Sequence, residues 1–448
     1  MIHKGIHRVY FLGIGGIGMS ALARYYQSQG IEVAGYDHTP SPLTHLLENE
    51  GMAIHYEDNP ELLPALIDLV VYTPAVPKDL KEMETLRQRG IPMMKRAEAL
   101  GAISKEHFTI AVAGTHGKTT TTAMVAHILK ENGVDMTAFI GGIANNFGSN
   151  LHLGRTSESV LVVEADEYDR SFLQLTPDIS IVNSIDADHL DIYGDKQHLV
   201  DGFNAFANLS SECVISKEHL PLAVDQATNF RFGFDSEADF RAVNLKQQDG
   251  ETDFEVVTPE ATTPVHLQMA GTHNVLNATA AFSAALELGL DAQGIADALA
   301  TFKGVKRRFD VRVKNARHCY IDDYAHHPEE IKSCLSAIRA SFPSKRVTLV
   351  FQPHLFTRTR DFMEDFANTL AMADDLILLD IYPARELPIE GITSQALLDR
   401  INLDNKCLCA KSELLDLIRQ RKPELLVTMG AGDIDRFVEP LQTMISQW

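Results

Sequence analysis

Positive charge is what this chain has least of. Lysine and arginine together number 40 against 61 aspartates and glutamates, a formal charge of −21 over 448 residues. That balance excludes non-specific binding to nucleic acid or to an acidic membrane, so no nucleic-acid partner is expected. It does not exclude a polyanionic small substrate, whose charge local loops and metal ions neutralise. Cysteine is scarce as well. Cys213, Cys319, Cys334, Cys407 and Cys409 are odd in number and scattered, and the Cys407–Cys409 pair has no second pair to complete a metal site. They read as reduced, buried thiols of a cytoplasmic protein. No apolar run reaches the roughly 18 residues a membrane helix needs. Met1 to Arg8 leads straight into a strand, so neither a signal peptide nor membrane insertion is expected. Repeats and low-complexity tracts are missing too.

At roughly 150 residues per domain the length predicts about three domains. The boundaries fall at 1–105, 106–314 and 315–448, with mobile hinges expected near 105 and 315. Each segment alternates strands and helices. The expected fold class is α/β: a Rossmann-like N-terminal domain, a central P-loop ATPase-type domain with a small antiparallel β appendix, and a Rossmann-like C-terminal domain.

The central segment opens on Phe108-Thr-Ile-Ala-Val-Ala113, the apolar pattern of a buried strand. Gly114, Thr115, His116, Gly117, Lys118, Thr119 and Thr120 follow, then the helical run Ala123–Leu129. A strand, a glycine turn and a helix N-terminus make a phosphate cradle. Lys118 is placed to reach the β/γ-phosphates, and the Thr119 hydroxyl can hold Mg²⁺. The longer form of such a loop would need glycine where Val112 stands, so this is the shorter G-T-x-G-K-T form. Downstream, Ser159–Val163 reads as a strand ending at Glu164, Asp166, Glu167 and Asp169. Ile179–Val182 reads as another, ending at Asn183, Asp188, His189 and Asp191. Carboxylates massed at neighbouring strand ends suit Mg²⁺. Phe139–Ile143 with Asn145–Asn150 is expected to be a glycine-rich loop, either wrapping a sugar or phosphate or merely connecting.

The first segment carries a second glycine turn. Arg8–Leu12 is followed by Gly13, Gly15, Gly16 and Gly18, and Asp37 ends the next strand, where a Rossmann fold keeps its ribose-binding acid. The motif indicates a nucleotide-like pyrophosphate more firmly than a dinucleotide. Arg96 is placed either to meet a ligand phosphate or to sit in solvent. From about 213 to 268 short alternating runs predict antiparallel strands. His273, Asn274 and Asn277 open an alanine-rich helix, and their spacing alone does not separate ligand binding from capping. The basic stretch Phe302–Asp310, with Arg307 and Arg308, reads as an interdomain linker. The third segment places Asp322, Asp323, Tyr324, His326 and His327 after one strand, and His354, Arg358 and Arg360 after the next.

Taken in order, Gly114-Thr-His-Gly-Lys-Thr-Thr-Thr121, Glu164-Ala-Asp-Glu167, Asn183 with Asp188-His-Leu-Asp191, Gly271-Thr-His-Asn274, Arg308 and Asp322-Asp-Tyr-Ala-His-His-Pro328 resemble the Mur ligases along the whole chain. Within that family, Gly13–Ser20, His326-His327, Gln352-Pro-His354 and Met429-Gly-Ala-Gly-Asp433 look most like the members that join L-alanine to UDP-N-acetylmuramate. The resemblance implies ATP-driven amide formation through an acyl phosphate, in peptidoglycan precursor synthesis. It implies that Lys118, Glu164, His189 and His326 are catalytic. It implies two Mg²⁺ ions, one on Thr119 and one held by Glu164 and His189. His273, Asn274, Arg308 and Asp323 would join the phosphate loop on ATP. Gly13, Gly15, Gly16, Gly18, Asp37 and Arg96 would hold the UDP-sugar. Tyr324, His326 and Arg358 would take the amino acid, with His326 or His327 assisting deprotonation. Two departures stand out. Leu355 occupies a position that is often arginine, and Leu199–Phe206 has no lysine to carbamylate. The rivals are a murein tripeptide-recycling ligase, an NAD-dependent dehydrogenase and a non-catalytic nucleotide switch. Oligomeric state is left open.

Overall fold

The computed structural model describes residues 5–77, 79–186, 195–384 and 386–448. Two compact units emerge. The first comprises Met1–Val243, Glu255–Val265 and Leu276–Phe302, and the second Asn244–Phe254, His266–Val275 and Lys303–Trp448.

The first unit contains a five-stranded parallel sheet and strands of a ten-stranded mixed one. The N-terminal one is five-stranded, ordered Ala53–His55, Glu32–Tyr36, Arg8–Leu12, Leu69–Tyr72, Met93–Lys95. Arg8–Leu12 pairs on one side with Glu32–Tyr36 and on the other with Leu69–Tyr72. The strand order therefore reverses there, and the crevice beyond its carboxyl end is where open α/β sheets bind ligands. Gly13 lies at that point. The other sheet runs Thr262–Leu267, Glu251–Val257, Phe240–Gln248, Thr228–Gly233, Cys213–Lys217, Ile179–Val182, Thr109–Ala113, Val160–Glu164, Met136–Ala144, Ser149–His152. Its central strand Thr109–Ala113 is buried at every position, flanked by the equally buried Ile179–Val182. A strand covered on both faces reads as a continuous apolar run. Val9, Phe11, Leu161, Val163, Phe172, Phe203 and Phe206 share one apolar cluster, with Phe172 stacked on Phe206 at 4.9 Å.

Two expectations about this sheet are corrected. The glycine-rich stretch Phe139–Asn150 is a β-hairpin, not a loop, since Met136–Ala144 pairs antiparallel with Ser149–His152. Its glycines leave enough extended, half-buried backbone for a ladder. Cys213–Lys217 and Thr228–Gly233 extend the parallel sheet. Alternating burial begins only with Phe240–Gln248, Glu251–Val257 and Thr262–Leu267.

The second unit is built on a six-stranded sheet. Asp310–Lys314 runs antiparallel to Cys319–Asp323, followed by the parallel strands Leu425–Met429, Val347–Phe351, Asp375–Leu378 and Lys406–Leu408. Tyr320, Val350, Ile377, Leu426 and Leu441 form its buried cluster. Asp322 and Asp323 are the last residues of their strand rather than the start of a loop. The basic stretch read as a linker is instead folded into this unit. Arg307 and Phe309 adopt positive φ of 63° and 49°, and the Arg307 guanidinium donates to the Gly430 carbonyl. Among the described residues no helix is long and apolar enough to cross a membrane.

Candidate active site

The turn expected to cradle phosphate follows Thr109–Ala113. Thr115 N–H donates to Ser184 O at 3.2 Å and His116 N–H to Ser184 Oγ at 2.9 Å, so the neighbouring strand end pins the turn. Gly117, at φ 82°, starts the helix Lys118–Glu131 without any side-chain cap. The first amides of that helix are left for an anion, and the dipole favours one. Thr119 and Thr120 are buried in the first turn. Asn183 supports it, donating to Thr121 Oγ1 at 2.9 Å.

Lys118 does not project into solvent. Its ammonium donates to Gly114 O at 2.6 Å and Thr115 O at 3.3 Å, and it pairs with both carboxylate oxygens of Glu167 at 3.0 and 2.9 Å. Burial works against its charge. Glu167, Glu164 and Asp166 outweigh that and push its pKa up, so the lysine stays an ammonium. Glu164, at the end of Val160–Glu164, accepts from Gly141 N–H at 3.1 Å. Thr119 and Glu164 offer the hard oxygens Mg²⁺ prefers, and the residues present fit such an ion. His189, with Asp188 and Asp191, lies outside the described residues.

At the other glycine turn, Asp37 accepts from Gly15 N–H at 2.8 Å and from Thr39 N–H at 3.2 Å. The carboxylate expected to meet a ribose therefore also braces the turn. Arg96 is not a solvated arginine. Its guanidinium pairs with Asp166 at 2.8 Å and packs over Gly18, where an added Cβ would come within 2.7 Å of it. A larger residue at 18 would have to push the guanidinium aside.

Within the second unit, Arg307 and Arg308 both approach the Tyr324 ring, at 5.1 and 5.0 Å. Asp322 accepts from Thr428 Oγ1 at 2.5 Å and lies 3.5 Å from Arg307. Burial pushes its carboxyl up to about 7, with Arg307 opposing. Asp323 accepts backbone N–H bonds from Phe309 at 2.6 Å and Ala325 at 2.7 Å, and burial raises its pKa against the pull of Arg308. Asp323 thus organises the loop that carries Arg308.

His326 Nδ1 lies 3.0 Å from Tyr324 O and 3.2 Å from Glu330. Facing two acceptors, Nδ1 carries the proton, which leaves Nε2 as the basic nitrogen. Burial lowers the His326 pKa, Glu330 opposes, and Arg358 adds to the lowering. The ring also meets Tyr324 at 5.2 Å and His354 at 5.9 Å. His327 has a different job, as the N-cap of the helix Pro328–Ser341 and against Phe362 at 4.6 Å. Arg358 lies on the short helix Phe356–Asp361, which begins after Leu355 at φ 71°. His273 is half-buried, and desolvation takes its pKa down to about 4, so it is neutral. Asn274 is buried and donates to Ala270 O at 2.7 Å.

Two residues matter more than their spacing suggests. Asn277 abuts Gly117, and the three-residue step from Asn274 is its one signal in the sequence. Glu167 stands among several massed acids, and nothing in a one-dimensional pattern marks which of them meets Lys118.

Comparison with known proteins matches residues 8–108 to the Mur ligase family catalytic domain, 112–285 to the Mur ligase middle domain and 307–432 to the Mur ligase glutamate ligase domain. UDP-N-acetylmuramate–L-alanine ligase of Cytophaga hutchinsonii is 46% identical, covering 99% of this chain and 97% of its own. The Flavobacterium psychrophilum protein of the same name is 49% identical over 97% of each. Among solved structures, UDP-N-acetylmuramate-alanine ligase from Thermotoga maritima superposes with a TM-score of 0.83 at 29% identity, over 97% of this chain and 99% of that one. A murein peptide ligase from Psychrobacter arcticus shares the fold, with a TM-score of 0.74 at 24% identity over 99% of each.

Proposed function

The chain belongs to the Mur ligase family, and on that premise we propose that it joins L-alanine to the lactyl carboxylate of UDP-N-acetylmuramate, driven by ATP, in peptidoglycan precursor synthesis. Near full-length identity of 46% and 49% to relatives bearing that name carries the reading, rather than the tripeptide-recycling one. The Lys118 turn agrees, since hydride transfer has no use for it.

The chemistry follows from the groups present. A lactyl carboxylate oxygen attacks the γ-phosphorus and ADP leaves, giving an acyl phosphate. The alanine nitrogen, once deprotonated, attacks the acyl carbon, and the tetrahedral intermediate expels inorganic phosphate. Carboxylate and triphosphate repel each other, so the first step needs fixed positive charge. Lys118 supplies it to the β/γ-phosphates and to charge developing on the transferred group, while the uncapped amides after Gly117 cradle the phosphates. Thr119, Glu164 and His189 are the residues to hold Mg²⁺, two ions in this reading, which when bound would shield the same charges. His273 and Asn274 would meet the nucleotide, joined by Arg308 and Asp323. The Gly13–Gly18 turn, Asp37 and Arg96 would carry the sugar nucleotide's diphosphate. Arg358 would take the alanine carboxylate, Tyr324 would wall the pocket, and His326 Nε2 would accept the ammonium proton.

The test is phosphate release by the purified chain, with UDP-N-acetylmuramate and amino acid varied separately. Release should need both alanine and the sugar nucleotide, and Lys118→Ala should lower it by roughly 100-fold or more. Release with tripeptide but not alanine, or with neither acceptor, would overturn the reading.

A further inference from the structure

We propose that Glu167 is the positioning residue for Lys118, setting the place on the turn from which a triphosphate must draw its ammonium. We propose also that the neighbouring Asp166–Arg96 pair makes this release sensitive to the acceptor's diphosphate. The inference rests on the ligase reading but concerns regulation of the site rather than its substrates.

A lysine ammonium has three N–H donors. Here Gly114 O, Thr115 O and Glu167 engage all of them. An arriving phosphate must displace at least one, and the two carbonyls are the neutral and therefore weaker holders. Glu167 has 2% of its side chain exposed, so water cannot take the lysine's place beside it. The carboxylate thus competes with the nucleotide for the charge and also sets the direction from which that charge is delivered.

The same short segment reaches the other glycine turn. Asp166 pairs with Arg96, which packs over Gly18, and Asp169 pairs with Lys95 at 3.1 Å. Asp169 and Arg170 both adopt positive φ, 53° and 54°, without being glycine. Such backbone persists only where its surroundings hold it, and here Arg170 N–H donates to Glu167 O at 3.0 Å and Phe172 N–H to Asp166 O at 2.8 Å. A diphosphate at the Gly13–Gly18 turn is a stronger ligand for Arg96 than one carboxylate. Drawing Arg96 away from Asp166 loosens the segment that ends in Glu167.

The experiment measures Mg·ADP affinity and steady-state turnover for wild type, Glu167→Gln, Glu167→Asp and Asp166→Asn, with thermal melts to confirm folding. Glu167→Gln removes the competitor, so the Kd for Mg·ADP should tighten roughly threefold or more while kcat falls roughly tenfold or more. Glu167→Asp, which keeps the charge, should restore the parental Kd. A Glu167→Gln Kd that is unchanged or weaker, or an unchanged kcat, would overturn the positioning role. UDP-N-acetylmuramate should shift the wild-type Mg·ADP affinity, and Asp166→Asn should abolish that shift. Equal shifts in both proteins, or none in wild type, would overturn the coupling. Because Mg·ADP binding is read without amino acid, a wrong acceptor assignment shows up separately, as wild-type phosphate release that ignores alanine.

Discussion

The amide oxygen of Asn277 occupies the space that any side chain on Gly117 would need. Asn183 crowds the same point, its Nδ2 at 2.9 Å, and the backbone there has φ 82°. Gly117 is therefore required twice, by conformation and by contact. Gly117→Ala should cost roughly 1–3 kcal/mol of local stability and abolish nucleotide binding. Mg·ADP titration with a parallel melt checks it, and parental affinity would show that the turn yields.

Of the two adjacent histidines, His326 has the geometry of a base and His327 that of a cap. The His326 pKa is lowered, chiefly by burial, so the ring is neutral at physiological pH. Sign matters here. A lowered pKa moves the acid limb of the pH–rate profile below the usual histidine value of about 6.5. His326→Ala should remove that limb and lower turnover by roughly 100-fold, whereas His327→Ala should keep it. A limb unmoved in His326→Ala would disprove the assignment.

Arg358 is offered as the clamp for the amino acid's carboxylate. A planar fork holds a carboxylate in two places and an ammonium does not. Arg358→Lys should raise the KM for alanine by roughly tenfold or more, with the KM for ATP little changed. Equal rises in both constants would place the arginine elsewhere.

Four of the cysteines are buried and Cys407 is partly exposed. Burial pushes the Cys213 thiol to about 12, Cys319 to about 11 and Cys334 well above its ordinary value. Native protein should therefore react quickly with a thiol reagent at Cys407 alone, and Cys407→Ser should remove the fast phase. A fast phase that persists in Cys407→Ser would contradict the burial.

What the amino-acid order by itself determined was everything local. Buried strands announce themselves as apolar runs, and a few consecutive residues are enough to mark a glycine turn with a helix behind it. The strand–turn–helix units at Gly114–Gly117 and Gly13–Gly18 and the strand ends of the C-terminal sheet were legible as local structure on that ground. Composition misleads where local and tertiary signals diverge. Glycines at 141, 142 and 148 suggest a loop, yet pairing with Ser149–His152 satisfies that backbone as a hairpin. The basic residues at 307 and 308 suggest a linker, yet Asp322, Asp323 and Tyr324 across the sheet edge give them partners. Which acid meets Lys118, which asparagine closes on Gly117 and which arginine covers Gly18 are matters of strand order and register. Those contacts join residues 49, 160 and 78 positions apart, and only packing selects one carboxylate from several equal candidates.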